Sequence, residues 1–406
     1  MMQPSTVSVA QRFLLSTGSK PMKINHLEEA RSILDQIIAW RRWFHQNPES
    51  STLEFRTTEK IRSELEKLSI PFIAASETGT VGVIRGNLPG PAVALRADID
   101  ALEITENTGL PYASETPGLM HACGHDLHTA TLLGAAKILK RYENELNGTV
   151  YLIFQPAEEI GKGAGILLES GALSDTDVFF GIHNTPDLDP GVISLSPGCV
   201  SAGANTLKIR LDGKSGHAAH PDKTIDAIAA GVSVVEGLQH FVSRELDPTR
   251  PAVISVCKFH AGTRDNIIAA HAEISGTVRV TDNDSREQVK EAVHRIVQNI
   301  AAAHRVNASV DCEYVTPIVY NDEAVYSIAH KAAAKITGAT IVPEPLSMGT
   351  EDFGDYSQIA PSFYARVGVG KGSPLHSDTY LPEESSFPYF TALFTSFVET
   401  YQEQVK

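Results

Sequence analysis

Apolar residues recur three and four apart over residues 27–44, with paired charges between them, and the same spacing returns over 57–68. Both segments read as amphipathic helices. The period then shortens: β-rich runs stand at 81–85, 92–95, 149–155 and 178–182, with helical patterns at 128–142 and 163–170 between the later ones. Strands alternating with helices predict an α/β fold built on a helix-flanked, largely parallel sheet. Around Ser201 the order changes to a strand (206–211), a helix (224–244), two strands (252–260 and 272–280), a helix (285–304) and a strand (308–316). That βαββαβ order describes a ferredoxin-like α+β unit. From Pro317 the α/β character returns, with a helix at 323–337, a strand at 362–369 and a closing helix at 387–404. Residues 24–200 and 316–406 are thus expected to form one domain, with 201–315 inserted into it.

Length supports that division, because 406 residues exceed what one ordinary core organises. With 34 basic against 49 acidic residues, the net charge of −15 favours solubility and excludes nonspecific nucleic-acid or anionic-membrane binding. No run approaches the roughly 18–20 apolar residues of a membrane span. Within 1–23, Gln11 and Arg12 interrupt the apolar Val7, Val9, Phe13, Leu14 and Leu15 before a secretory core can form, so the segment reads as a poorly ordered leader. Four dispersed cysteines, Cys123, Cys199, Cys257 and Cys312, are too sparse for a secreted disulfide framework and point to a reducing cytoplasm.

Chemistry concentrates where predicted strands end. Asp98 and Asp100 follow the strand at 92–95, Glu158 and Glu159 follow 149–155, and His183 follows 178–182. Open α/β sheets build their sites beyond the carboxyl ends of strands, so these groups are expected to converge. Between the first two lies His121-Ala122-Cys123-Gly124-His125-Asp126-Leu127-His128. On an extended segment Cys123 and His125 share a side, and Gly124 permits close backbone approach. A thiolate with an imidazole suits zinc and also admits manganese, cobalt or nickel. Neighbours on an extended chain diverge, so one of Glu158 and Glu159 is expected to ligate and the other to serve as general base towards an activated water. Spacing alone does not choose between them. A single histidine or glutamate in this set reads more simply as a satisfied core or surface residue; it is their joint arrival at strand ends that favours a site.

Arg96-Ala97-Asp98-Ile99-Asp100-Ala101-Leu102, the run MHACGHDLHT from Met120, FQPAEE from Phe154, Gly181-Ile182-His183 and Leu375-His376-Ser377 resemble the motif series of the zinc-dependent aminoacylase and carboxypeptidase superfamily. The likeness is to its amidohydrolase branch, which includes hippurate hydrolase and the indole-3-acetyl-amino acid hydrolases. It implies a dinuclear centre held by Cys123 (bridging), His125, Glu159, His183 and His376, with Glu158 as general base and Asp98 and Asp100 orienting the site. The inserted domain would be a lid that also mediates a homodimer. His217, in Gly213-Lys214-Ser215-Gly216-His217, would hold the carbonyl oxygen of the transition state, and Asn266 and Arg279 would line the substrate side. For Arg279 a structural ion pair on a strand face is the competing reading. Ile160, Ala269 and the pair His220 and Asp222 depart from the family pattern; they bear on the pocket and leave every proposed ligand and the base in place.

The resemblance implies hydrolysis of small N-acyl amino acids or related amides, using two divalent ions (Zn, Mn, Co or Ni). A dipeptidase or carboxypeptidase with the same site is the nearest rival. A noncatalytic metal-binding protein on this scaffold is a second, and a nucleophilic Cys123 paired with His125 or His128 a third.

Overall fold

The computed structural model describes residues 24–405; the leader read at 1–23 lies outside them. The chain separates into two compact units, one running to Ser196 and resuming over Asp322–Glu344 and Tyr356 onwards, the other made of Pro197–Asn321 and Pro345–Asp355.

The first unit begins with α1 (His26–Ser32), α2 (Leu34–Gln46) and α3 (Phe55–Lys67). The single helix expected over 27–44 is broken at Ile33. There the Ser32 hydroxyl takes the Glu29 carbonyl (2.7 Å), the Ile33 amide turns to Ala30, and the helix restarts from the Ile33 carbonyl. Next come β1 (Phe72–Ala74), β2 (Thr80–Arg85), β3 (Leu88–Asp98), α4 (His125–Arg141), β4 (Asn147–Gln155), α5 (Gly163–Glu169), β5 (Val178–Thr185) and β6 (Val192–Ser194).

The second unit contains β7 (Gly198–Ser201), β8 (Gly203–Asp212), β9 (Gly216–His217), α6 (Ala227–Arg244), β10 (Ala252–Ala261), β11 (Ile267–Ile268), β12 (His271–Val280), α7 (Asn283–His304), β13 (Asn307–Thr316) and β14 (Val319–Asn321). Its antiparallel sheet has the order β10-β12-β8-β13. Alternation along β8 turns Leu207, Ile209 and Leu211 into the core against α6 and α7, and leaves Lys208 and Arg210 outside. Asp226 and Asp282 cap the two helices with their carboxylates.

The first unit closes with α8 (Glu323–Ala334), β15 (Thr340–Val342), β16 (Ser362–Gly368) and α9 (Phe387–Gln404). Its sheet, eight strands among the described residues, runs β1-β2-β4-β3-β5-β16-β6-β15. The central four, β4, β3, β5 and β16, are parallel, and β2 and β6 flank them antiparallel. This is a mixed α/β fold with a largely parallel centre. Central strands buried on both faces need apolar cover, which α9 supplies on one side: Phe397 stacks on Phe180 with ring centroids 4.0 Å apart, and α4 packs alongside.

Parallel register puts the functional ends level. Asp98 stands opposite Gln155, and Arg96 stands opposite Gly181, which brings Asp98 to the height of His183 on the far side. Among the described residues no helix is long and apolar enough to cross a membrane.

The connection from β3 to α4 is irregular over 103–119 and is fastened by Glu106. Burial works against the charge of this carboxylate, yet hydrogen bonds from the His45 ring (3.2 Å), the Ser114 amide (2.6 Å) and the Thr108 hydroxyl outweigh it and pull its pKa from 4.5 to about 2. A depressed carboxyl contributes stability above its unfolded pKa and loses it as pH falls through the folded one. Glu106→Gln is therefore expected to lose about 1–2 kcal/mol at neutral pH, a deficit that shrinks between pH 4.5 and pH 2. Urea melts at pH 7, 4 and 2.5 measure it, and a deficit constant with pH would contradict the assignment.

Candidate metal centre

Cys123 and His125 reach one point by a turn. Gly124 between them is left-handed (φ +87°), and His125 is already the first residue of α4. The extended segment expected from the sequence does not form here. A Cβ at Gly124 would lie 2.4 Å from Asn184 Nδ2, so the position needs glycine for space as well as conformation. That Asn184 amide donates to the Cys123 carbonyl (2.6 Å) and its Oδ1 accepts from the Tyr380 hydroxyl (2.6 Å), which fixes the peptide carrying the thiol.

The imidazoles of His125 and His183 are each held by one nitrogen. His125 Nδ1 donates to the Asp100 carbonyl (3.0 Å) and carboxylate (3.2 Å), and His183 Nδ1 donates to the Asn184 carbonyl (2.7 Å). These bonds select the tautomer that presents a lone pair on Nε2. His183 Nε2 lies 3.5 Å from Cys123 Sγ. His128, beside them, donates from Nδ1 to Asp98 (2.6 Å) and accepts the Asn184 backbone N–H at Nε2 (3.0 Å), so both its nitrogens are engaged.

Glu158 and Glu159 follow β4 on a turn that Ala157 enters with φ +55°. The two carboxylates do not diverge as an extended pair would. Glu158 Oε2 and Glu159 Oε1 are each 3.9 Å from His125 Nε2, and Glu159 Oε1 is 3.8 Å from His376 Nε2. The Glu159 amide donates to Asp100 Oδ2 (3.0 Å). His376 has φ +62° and hangs from the Ala122 carbonyl by its backbone N–H (2.9 Å).

The donor atoms fall into two triads, Cys123-His125-His183 and Cys123-Glu159-His376, each with its atoms within 4.8 Å of one another. They share the Cys123 sulfur. Asp98 and Asp100 sit behind them as hydrogen-bond partners: Asp98 also pairs with Arg96 (2.5 Å), and Asp100 with Ser51 (2.6 Å). Burial opposes the charge on Asp98, but His125, Arg96 and His128 outweigh it and hold its carboxyl well below the usual range. Burial, with Asp100 and Asp98 close by, pushes Glu159 up to about 7 against the pull of His125, and burial pushes the Cys123 thiol up.

Among the described residues, buried His125 Nε2 and Glu159 Oε1 have no hydrogen-bond partner. A buried polar atom left so costs about 1–3 kcal/mol, and here both stand beside a thiol. Sulfur, imidazole and carboxylate converging with lone pairs to spare fit two divalent ions.

The remaining expected residues lie in the second unit. His217 is on β9, exposed, its Nδ1 accepting from the Ala219 amide (3.1 Å). Asn266 precedes β11, which pairs with β9, and its carbonyl accepts from Ala218 (3.1 Å), so these two come together. Arg279 does not join them within this unit. It stands opposite Val253 near the other end of β12, roughly 25 Å along the strand. Among the described residues it makes no ion pair, and burial lowers its pKa.

Sequence reasoning assigned no role to Asn184 or Tyr380, and named His128 only as a partner for a nucleophilic Cys123. Only His128 carried a signal, its place two residues after the Cys-Gly-His-Asp run; the contacts of the other two span 61 and 196 residues.

Residues 94–400 match the peptidase family M20/M25/M40. The chain belongs to this family, and it is a hydrolase. It is 40% identical to N-acetylcysteine deacetylase of Bacillus subtilis (strain 168) over 90% of this chain and 97% of that protein. It is 37% identical to the IAA-amino acid hydrolase ILR1-like 4 of Arabidopsis thaliana over 100% and 94%, and 38% identical to thermostable carboxypeptidase 2 of Saccharolobus solfataricus over 88% and 93%. A solved Bacillus subtilis structure described as a dinuclear metal binding peptidase of family M20 superposes with a TM-score of 0.84 at 36% identity, covering 92% of this chain and all of that one.

Because both triads use the same sulfur, Cys123→Ala is expected to reduce bound metal from two ions to fewer than one, whereas His376→Ala retains about one. Elemental analysis after gel filtration reads this directly. A cysteine variant that still carried two ions would show that the triads do not depend on a common ligand.

Proposed function

We propose that this protein hydrolyses the amide bond of small N-acyl amino acids, with Cys123, His125, Glu159, His183 and His376 holding two divalent ions and Glu158 acting as general base. The observation that carries this reading is the pair of donor triads meeting at Cys123, with Glu158 beside His125 and next to the ligand candidate Glu159. The names of the relatives support the substrate class, since a deacetylase and an amino acid conjugate hydrolase both cleave acyl groups from amino acids.

When bound, such ions acidify water and polarise the carbonyl oxygen of the amide. The chain supplies the rest. Asp100 keeps His125 in its ligating tautomer, and Asp98 fixes the ring of His128, whose Nε2 accepts from Asn184 and braces it. Glu158 takes the proton of the attacking water and passes it to the departing amine. General catalysis of this kind contributes about 10²–10⁴-fold.

His217 donates to the developing oxyanion, a role worth about 3 kcal/mol, while Asn266 lines the substrate and Arg279 pairs with its carboxylate. The unit carrying them serves as a lid whose closure excludes water, and as the surface of a homodimer. Zinc, manganese, cobalt and nickel all suit the donors. A reducing cytoplasm suits an unpaired Cys123 thiol. The relative named as a carboxypeptidase favours a second reading, peptide cleavage by the same machinery.

Glu158→Gln is expected to keep two ions per chain while kcat falls by about 10²–10⁴-fold. Retention of most activity would mean that another group takes the proton. On the parent enzyme, a panel of N-acetyl, benzoyl and indole-acetyl amino acids should be cleaved with higher kcat/KM than matched dipeptides, and the reverse ranking would favour the peptidase reading.

A further inference from the structure

Glu54 is a wholly buried acid outside the donor set (0 % exposed). It stands at the N-cap of α3, where its carbonyl accepts the Thr58 amide (2.9 Å), so the helix fixes its backbone. Its Oε1 accepts two backbone N–H groups, Thr52 and Ala157, each at 2.9 Å, and among the described residues its Oε2 has no hydrogen-bond partner. Burial raises its pKa, as does Asp100, with the backbone N–H groups opposing.

The second of those N–H groups is what matters for the site. Ala157 is buried and left-handed, a conformation that a residue with a Cβ holds only when its surroundings impose it. Its carbonyl accepts the Lys162 and Gly163 amides (3.2 Å each), and the Glu158 carbonyl accepts the Gly161 amide (2.7 Å). The turn is therefore closed on the carbonyl side by its own later residues, and on the amide side by Glu54. Glu158 and Glu159 come next in the chain. The direction in which both side chains leave it is set by Ala157, and relaxation of that residue to an ordinary conformation would swing the pair away from His125.

Three residues before Glu54, the Ser51 hydroxyl donates to Asp100 Oδ2 (2.6 Å), the oxygen that also accepts the Glu159 amide (3.0 Å). The short segment ahead of α3 thus bears on both the acid that orients His125 and the amide of Ala157, the residue before Glu158.

We propose that Glu54 is a positioning residue, which clamps the Ala157 amide and so presents the Glu158-Glu159 pair already aimed at the ion site. The inference rests on the reading of Glu158 and Glu159 given above. Glu54→Gln retains an oxygen for the same two N–H groups, and Glu54→Ala retains none. In the zinc-loaded enzyme the Ala variant is expected to lose about ten- to a hundredfold in both kcat and zinc affinity, the latter by competition with a chromophoric chelator, with KM nearly unchanged. The Gln variant should stay within about threefold of the parent on both readouts. A merely structural role would lower the melting temperature and leave kcat per folded molecule intact. An Ala variant with parental kcat and zinc affinity overturns the proposal, and so does a Gln variant as damaged as the Ala one. Should the Ala variant fail to fold, the Gln variant decides alone, a loss beyond about tenfold in zinc affinity counting against the clamp. Parent enzyme carrying two zinc ions and Glu158→Gln losing turnover are the controls. If they hold while Glu54→Ala is silent, only the clamp is wrong; if they fail, the reading of the site and the clamp fall together.

Discussion

Removing ionised side chains from water costs several kcal/mol apiece even after the surroundings relax, and the first unit gathers an unusual number of them at one edge of its sheet. Asp98, Asp100 and Asp126 are all buried (0 to 1 % exposed), and each is met by more than one partner. Arg96 and His128 serve Asp98; His125, Ser51 and the Glu159 amide serve Asp100; Arg41 and His45 serve Asp126. Breaking such a pair typically costs about 3–5 kcal/mol, because the remaining charge is left without compensation. Asp98, Asp100 and Asp126 are therefore engaged, while in front of them, among the described residues, His125 Nε2 and Glu159 Oε1 lack a hydrogen-bond partner. An arrangement that satisfies its supporting carboxylates and leaves its converging donors unsatisfied is organised around cations.

This arrangement also weighs against a nucleophilic Cys123. A thiol acts as a nucleophile through its thiolate, which needs a depressed pKa. Burial pushes this thiol the other way. His128 has both ring nitrogens committed, to Asp98 and to Asn184, and His125 Nδ1 is held by Asp100. A cysteine enzyme would leave Glu159, His183 and His376 gathered around the sulfur for no chemical purpose.

Much of the fold was legible because burial enforces periodicity. The closing helix at 387–404 has the expected bounds, and the βαββαβ run was readable through Leu207, Ile209 and Leu211 alternating with charged neighbours. The three-residue strands β1, β6 and β15 were not, since three residues carry no period, and the break at Ile33 depends on one serine hydroxyl. At the site, strand ends pointed to Asp98, Glu158 and His183, because parallel strands deliver whatever follows them to one edge. The geometry behind the two local arguments was different. Cys123 and His125 meet through a left-handed glycine at a helix start, and Glu158 and Glu159 leave a left-handed alanine, neither of which an extended chain would show. Those turns are imposed by Asn184 and Glu54, which lie 61 and 103 residues away in sequence, so no local pattern could reveal them.

Distance alone does not divide the work between the two glutamates, since each carboxylate lies 3.9 Å from His125 Nε2. Anchoring offers a better ground. The Glu159 peptide is tied to Asp100, the same acid that orients His125, and its carboxylate groups with Cys123 and His376 as well. A ligand benefits from that rigidity, because displacement loosens the coordination sphere. A proton carrier must instead contact first the water and then the departing nitrogen, which asks for a side chain whose head can shift while its stem stays aimed. Glu158 follows Ala157 directly, so the clamp fixes the start of its side chain and the direction in which that side chain leaves the backbone. In this view the left-handed alanine serves both acids, aiming Glu158 next to it and, one residue on, Glu159, whose peptide is bound to Asp100.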